Sequence, residues 1–270
     1  MTETPPIPSP AAEPSAAQPG APSEAASPTI PAQVECVPVG QAWGRPYEVV
    51  YRDALPYGVV AGVVLPGDGS EVPAWALARL HPEEQQIAAE LRGYRQGAFV
   101  GGRLACRAAL EALGAPASPI LMEGRGAPRP PAGVSVSISH KSHLAVAIVA
   151  RADLGQLGLD LEELGPARPH VARVVLTPAE LEAVGRLPED RRWIATLLRF
   201  SIKEAVYKAI APRLQRYVGF DEAEVTIRVD GTASVQLQLS CGTASPQVEA
   251  RYTWLDGGVL STVRARWSDS

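Results

Sequence analysis

The hydrophobic residues of the chain form two patterns that are typical of strands, continuous apolar runs and alternation with polar residues. Residues 59–65 and 144–150 are almost continuously apolar, which is typical of strands buried on both faces. Residues 134–139 alternate between apolar and polar, which favours a strand with one buried face. The Asp-Gly pairs at 230–231 and 256–257 are typical of hairpin turns. The full set of predicted strands is 47–52, 59–65, 134–139, 144–150, 158–162, 224–229, 233–239, 248–254 and 259–267.

The sequence predicts four helices, arranged as two pairs of a short helix followed by a longer one. A short helix is expected to open directly after His81 and another directly after Thr177, because proline occupies the first helical position in both. A longer helix follows each of them, over residues 96–113 and 190–210, and Pro212 is expected to close the second. Strands and helices mixed in this order indicate an α+β protein.

The two halves of the sequence resemble each other. Segment 80–84 (LHPEE) is similar to segment 176–180 (LTPAE), and each precedes a long helix. Within those helices, segment 99–103 (FVGGR) aligns with segment 200–204 (FSIKE). This internal repeat predicts two similar α/β subdomains related by a pseudo-twofold axis.

The same alignment places Arg103 at the position of Glu204, and Arg107 at the position of Lys208. If the halves face each other, Arg103 lies on one side of a shared cleft and Glu204 on the other. If two amphipathic helices resemble each other by chance, Arg103 and Arg107 belong to a solvated face. The residues alone leave both interpretations open.

Acidic side chains form the clearest candidate for chemistry. Asp160 and Glu162 alternate with leucines, so on a strand both carboxylates point to one face. On the long helix, Glu204 and Lys208 are four residues apart and therefore neighbours. Three carboxylates without a cysteine or histidine cluster suit Mg²⁺. The alternative is an ordinary solvated strand edge.

Composition narrows the function classes and the location. A net charge of -4 does not support a nucleic-acid partner, and the sequence has no long uncharged apolar run of the kind that spans a membrane. The three cysteines share no metal-like spacing, and no secretory signal follows Met1, so we expect a cytoplasmic protein. Residues 1–34 are rich in Pro, Ala and Ser without an aromatic residue, which predicts a disordered tail. The two halves are expected at residues 35–155 and 156–270.

Four segments, in this order, resemble the 4′-phosphopantetheinyl transferases of the surfactin- and enterobactin-synthetase-activating class, and in particular the enterobactin synthase component D branch. The segments are GGR at 101–103 with Arg107, VSISH at 136–140, GLDLE at 158–162 and FSIKEAVYKA at 200–209. The resemblance implies the pseudo-twofold α/β fold. It also implies Mg²⁺-dependent transfer of phosphopantetheine from coenzyme A to a serine of an acyl or peptidyl carrier protein, with release of adenosine 3′,5′-bisphosphate. Polyketide or nonribosomal peptide synthases are the expected targets.

The resemblance also implies roles for single residues. As metal ligands it implies Asp160, Glu162 and Glu204, the last also being the proposed base. As catalytic groups beside Glu204 it implies Lys208 and His140. As coenzyme A contacts it implies Arg103, His140, Lys203 and Lys208, and helical spacing from Arg103 adds Arg107.

Two further points bear on the resemblance. Lys141 departs from the pattern, which has a small residue after the histidine. The chain has only three lysines, and all of them lie in or directly after a matching segment: Lys141, Lys203 and Lys208. A protein with two such halves is expected to act as a monomer.

Two rival interpretations of the function remain open. One is another Mg²⁺-dependent phosphoryl enzyme, for which a Walker-type loop is missing, and the other is a non-catalytic module that binds carrier proteins on the same fold.

Overall fold

In this computed structural model, the structure describes residues 44–123, 126–239 and 245–267. The helices there are α1 (Ala74–Leu77), α2 (Pro82–Glu90), α3 (Gly93–Leu113), α4 (Pro169–Val175), α5 (Pro178–Gly185) and α6 (Glu189–Leu214). The strands are β1 (Val49–Leu55), β2 (Gly58–Val64), β3 (Leu121–Glu123), β4 (Ala127–Arg129), β5 (Val134–Lys141), β6 (Leu144–Arg151), β7 (Gln156–Glu163), β8 (Ala223–Ile227), β9 (Thr232–Leu237), β10 (Gln247–Leu255) and β11 (Gly258–Arg266). Short 3₁₀ turns lie at Ala152–Leu154 and Phe220–Glu222. The α+β prediction is confirmed.

The first half is an antiparallel sheet in the order β1-β2-β6-β5, covered by α3. Its central strands are buried on both faces, which explains their continuous apolar sequence. Ala145 and Ala147 pack towards α3, whereas Val146 and Ile148 belong to a second cluster on the opposite face. This second cluster also takes in side chains of the other sheet and joins the two halves.

The second half is an antiparallel sheet in the order β7-β11-β10-β9-β8, covered by α6. The predicted Asp-Gly turns are present, with Gly231 and Gly257 in the left-handed conformation that hairpin turns require (φ 80° and 79°). Leu157, Leu159 and Leu161 of β7 belong to the cluster between the halves. The opposite face of β7 meets α6.

A ladder of serine hydroxyls connects the sheets where edge strands β5 and β7 lie side by side. Ser135, Ser137 and Ser139 are alternate residues of β5, and their hydroxyls accept hydrogen bonds from the backbone N–H groups of Leu157, Leu159 and Leu161 at 3.1, 2.9 and 3.2 Å. Both numberings increase together, so the strands run parallel. Side chains thus satisfy the N–H groups of a buried strand edge.

The internal repeat is visible in how the two short helices begin. The side chains of His81 and Thr177 each accept a hydrogen bond from the first turn of a helix. In return, Glu84 and Glu180 each accept one from the backbone N–H of that N-cap residue. Both glutamates are buried, and each also accepts a backbone N–H from a distant segment, that of Ile120 and that of Val225, respectively. Each glutamate therefore anchors its half in the same way.

Some boundaries differ from the prediction. Pro212 does not close the last helix, because α6 continues to Leu214 and ends at Gln215 in the left-handed conformation. So close to the end, the missing proline N–H removes only one helical hydrogen bond. The strand predicted at 134–139 extends two residues further, so that His140 and Lys141 are also in β5. The predicted tail at 1–34 lies outside the described residues, and the division near residue 155 stays a prediction.

Candidate active site

The close approach of α6 to β7 builds the site. A Cβ atom at Gly158 would collide with the backbone carbonyl of Ala205, so only glycine allows the helix to lie this near the strand. The contact places the helix turn that carries Glu204 and Lys208 over the carboxyl end of β7. The glycine in the GLDLE segment thus has a structural reason, which the sequence interpretation did not identify.

Asp160 is at the centre of the site and is buried. Its Oδ1 accepts hydrogen bonds from Lys208 Nζ at 2.7 Å and from Ser139 Oγ at 3.2 Å. Its Oδ2 is buried and has no hydrogen-bond partner within the described ranges. A buried carboxylate oxygen left without a partner is costly, and a bound cation would remove that cost.

Lys208 reaches down from α6 to the end of the serine ladder. In addition to Asp160, its ammonium group donates to the carbonyl of Leu159 at 3.0 Å and to Ser139 Oγ at 3.3 Å. Ser139 therefore contacts Asp160, Lys208 and the backbone of β7 together. Sequence reasoning missed this serine, although its place beside His140 in the VSISH segment was a usable signal.

The other two acids complete an electronegative cluster. Glu162 forms an ion pair with Lys141, with Oε1 and Nζ 2.8 Å apart. Burial and the charge of Asp160 raise the pKa of Glu162, although Lys141 opposes the shift. The same two causes raise the pKa of Glu204. Asp160 is therefore within electrostatic range of both Glu162 and Glu204.

No three acidic, histidine or cysteine side chains of the described residues are gathered closely enough to hold a metal ion as they stand. Lys208 and Lys141 instead supply positive charge to Asp160 and Glu162. The donor set nevertheless fits Mg²⁺, since it offers hard carboxylate oxygens, one of which has no partner in the part of the chain that the structure describes. The predicted ligand set of Asp160, Glu162 and Glu204 stays a prediction.

His140 lies near the same lysines at the end of β5. Its Nδ1 is 3.1 Å from the hydroxyl of Tyr94, a residue of α3 that the sequence did not single out. Desolvation and the charges of Lys208 and Lys141 lower the pKa of His140. The first half thus contributes His140, Lys141 and Ser139 to a site whose carboxylates come from the second half.

Lys203 occupies a different environment from the one expected. Its ammonium group donates to Glu180 Oε2 at 2.6 Å, to the carbonyl of Val175 at 2.8 Å and to the carbonyl of Phe220 at 2.9 Å. An ammonium group has three donors, so none is left for coenzyme A. We therefore omit Lys203 from the coenzyme A contacts.

Two of the three arginines of α3, Arg103 and Arg107, were predicted to contact coenzyme A. Arg103 is buried, its Nη2 donates to the carbonyl of Leu121 at 3.2 Å, and its guanidinium lies over the ring of Phe99. Its Nε is buried without a hydrogen-bond partner in the part of the chain that the structure describes. Arg107 is one helical turn further along and half-buried. Their assignment to coenzyme A stays a prediction.

Comparison with known proteins decides the family. The model of the 4′-phosphopantetheinyl transferase N-terminal domain matches residues 83–150, and that of the 4′-phosphopantetheinyl transferase superfamily matches residues 156–257. The chain is 32% identical over 189 residues to the 4′-phosphopantetheinyl transferase PptT of Mycobacterium tuberculosis, covering 69% of this chain and 80% of that protein. The chain belongs to the 4′-phosphopantetheinyl transferase superfamily. The family and enzyme class predicted from the sequence are confirmed.

Other relatives agree with this assignment. The transferase Svp of Streptomyces mobaraensis is 38% identical over 173 residues, which cover 62% of this chain and 70% of that protein. Enterobactin synthase component D of Salmonella typhi is 30% identical over 180 residues, covering 63% and 72% of the two chains. The branch named by the resemblance is thus among the relatives of this transferase. In the described ranges, no helix has the length and apolarity to cross a membrane.

Proposed function

We propose that this protein transfers 4′-phosphopantetheine from coenzyme A to a serine of apo acyl or peptidyl carrier proteins, in a Mg²⁺-dependent reaction. The observation that carries the proposal is the buried Oδ2 of Asp160, which has no hydrogen-bond partner among the described residues and lies beside Lys208, in electrostatic range of Glu162 and Glu204. Such a cluster suits a cation and the pyrophosphate of coenzyme A.

In the proposed reaction the carrier serine oxygen forms a bond to the phosphorus on the pantetheine side of the pyrophosphate. The bond from that phosphorus to the bridging oxygen breaks, and adenosine 3′,5′-bisphosphate leaves with the electron pair. The serine proton passes to Glu204, directly or through water. In the metal-free protein, burial and the charge of Asp160 raise the pKa of Glu204.

The remaining side chains position the pyrophosphate of coenzyme A and neutralise its negative charge. Lys208 provides a compact positive charge for the phosphoryl oxygens, and His140 provides a hydrogen-bond donor. Asp160, Glu162 and Glu204 would hold Mg²⁺, which supplies positive charge to the pyrophosphate when it is bound. Because Lys141 and Lys208 pair with two of these acids, the site is partly neutralised before any cation enters.

The site has room for an acceptor beside the acids. A cavity of about 520 Å³ has Glu162 and Lys141 in its wall, together with apolar side chains of α4 and α6 that include Val171 and Phe200. The cavity meets the proposed metal ligands at Glu162, and its mixed lining suits an approaching protein segment. We propose that the carrier proteins belong to polyketide or nonribosomal peptide synthases, on the strength of the relation to enterobactin synthase component D.

The test is mass spectrometry of purified apo carrier proteins after incubation with this protein, coenzyme A and Mg²⁺. Carriers from fatty acid, polyketide and peptide synthases are compared, each with a parallel sample containing excess EDTA. We expect one added phosphopantetheine on at least one carrier and none with EDTA. Binding of carriers without modification of any of them would instead support a non-catalytic carrier-binding module.

A further inference from the structure

The imidazole ring of His140 rests against the phenol of Tyr94, which lies in the first turn of α3. The Tyr94 hydroxyl is 3.1 Å from Nδ1 of His140. The two rings also meet edge to face, with their centroids 5.6 Å apart. One polar and one aromatic contact therefore fix the ring, although the two residues are 46 positions apart in the sequence.

We infer that Tyr94 is a positioning residue for coenzyme A binding: its hydroxyl donates to Nδ1 of His140 and holds the ring as the neutral tautomer with its proton on Nε2. The inference rests on the proposed function, in which His140 faces a phosphate of coenzyme A. It adds a residue outside the matching segments and a defined protonation state for the histidine.

The charges around His140 favour the neutral ring. Lys208 of α6 and Lys141 of β5 both approach it and, after desolvation, are the causes that lower its pKa. The negative charge of Glu163 on β7 acts on Tyr94, whose pKa it helps to raise. A third positive charge beside two lysines is unfavourable, so the ring stays uncharged near neutral pH.

A neutral imidazole has one donor nitrogen and one acceptor nitrogen. With Nδ1 accepting from Tyr94, the proton must be on Nε2. Within residues 44–123, 126–239 and 245–267, Nε2 of His140 has no hydrogen-bond partner. The donor is therefore free for a phosphate oxygen, and it is oriented before the coenzyme arrives, which lowers the entropic cost of binding.

The tautomer can be observed directly by NMR of protein labelled with ¹⁵N in its four histidines, with His140→Gln used to assign the His140 signals. We expect the Nε2-protonated form in the wild type and a mixture of tautomers in Tyr94→Phe. Tyr51→Phe is the matched control, because the Tyr51 hydroxyl bonds to Asp53 on β1 and has no part in the site. A wild-type ring protonated on Nδ1, or an unchanged spectrum in Tyr94→Phe, would overturn the inference.

Coenzyme A titration by calorimetry then tests whether Tyr94 acts through His140. Tyr94→Phe removes the hydrogen bond that orients His140, which should weaken the binding of coenzyme A about fivefold. In the His140→Gln background the same substitution should have no further effect, and an equal loss there would refute a positioning role. Since the NMR measurement needs no carrier, a failure of carrier modification with the expected tautomer would count against the proposed function alone.

Discussion

Lys203 Nζ lies 2.6 Å from Glu180 Oε2, and both side chains are almost completely buried, at 1% and 3% exposure. The pair links α6 to the first turn of α5. Because Glu180 also accepts the backbone N–H of Val225, the pair ties two helices to β8. A lysine expected to bind coenzyme A is thus part of the interior of the second half.

Lys203→Met should therefore lower the free energy of unfolding. Removing one partner of a buried ion pair leaves the other charge without compensation, which costs about 3–5 kcal/mol. Urea denaturation followed by circular dichroism measures the loss. Arg186→Met is the control, since Arg186 pairs with Glu182 on the surface and should change the stability by less than about 1 kcal/mol. Similar midpoints for the two variants would contradict the structural role of Lys203.

Local signals explain what the sequence could predict. The helix starts at His81 and Thr177 depend on neighbouring residues only, and both are where the proline and the following glutamate placed them. The strands of both sheets were found from their apolar period. Pro212 was misjudged, because the packing of α6 on its sheet outweighs one missing hydrogen bond.

Tertiary contacts explain what could not be predicted. Nothing near Lys203 in the sequence shows that its partner is Glu180, 23 residues away. Tyr94 and His140 come from separate elements, as do Ser139 and Lys208. The carboxylates were recognised because Asp160 and Glu162 occupy one strand. Lys208 reaches Asp160 only through the packing of α6 on β7, and Lys141 reaches Glu162 only where the halves are joined.

Two rungs of the serine ladder should respond differently to alanine. Ser137→Ala should cost about 1–3 kcal/mol, because it leaves the buried N–H of Leu159 without a partner, and should leave turnover unchanged. Ser139→Ala should cost a similar amount and also lower activity roughly tenfold, because Ser139 orients Asp160 and Lys208. Urea denaturation and holo-carrier formation are measured on both. Equal activities would refute the orienting role.

Glu204→Gln should abolish most of the transfer while preserving the fold. Glutamine has the shape of glutamate but cannot accept the serine proton, and loss of a general base typically costs about 10²-fold or more in rate. Single-turnover formation of holo-carrier, followed by mass spectrometry, measures the effect. Far-ultraviolet circular dichroism confirms the fold. Turnover within tenfold of the wild type would exclude Glu204 as the base.

The stability of the protein should fall in alkaline solution partly because of Cys106. Complete burial raises the pKa of this thiol from 9.0 to about 12. Between these values the unfolded chain releases the proton while the folded chain keeps it, so folding loses free energy as the pH rises above 9, by about 1 kcal/mol at pH 10. The test compares the pH dependence of urea unfolding in the wild type and Cys106→Ala. Burial also raises the pKa of Tyr57, but that effect is common to both proteins. Parallel stability curves would contradict the prediction.

Lys141→Ser should strengthen the binding of Mg²⁺. In the metal-free protein the Lys141 ammonium is 2.8 Å from Glu162 Oε1. It therefore competes with Mg²⁺ for one of the proposed metal ligands. A half-exposed ion pair is worth at most about 1 kcal/mol, so removing the competing charge should lower the dissociation constant by up to about fivefold. Calorimetric titration of Mg²⁺ without coenzyme A measures this directly. Lys141→Arg keeps the charge and should bind Mg²⁺ as the wild type does. If serine and arginine at this position give the same affinity, Lys141 does not compete with the metal, and its pairing with Glu162 has only a structural effect.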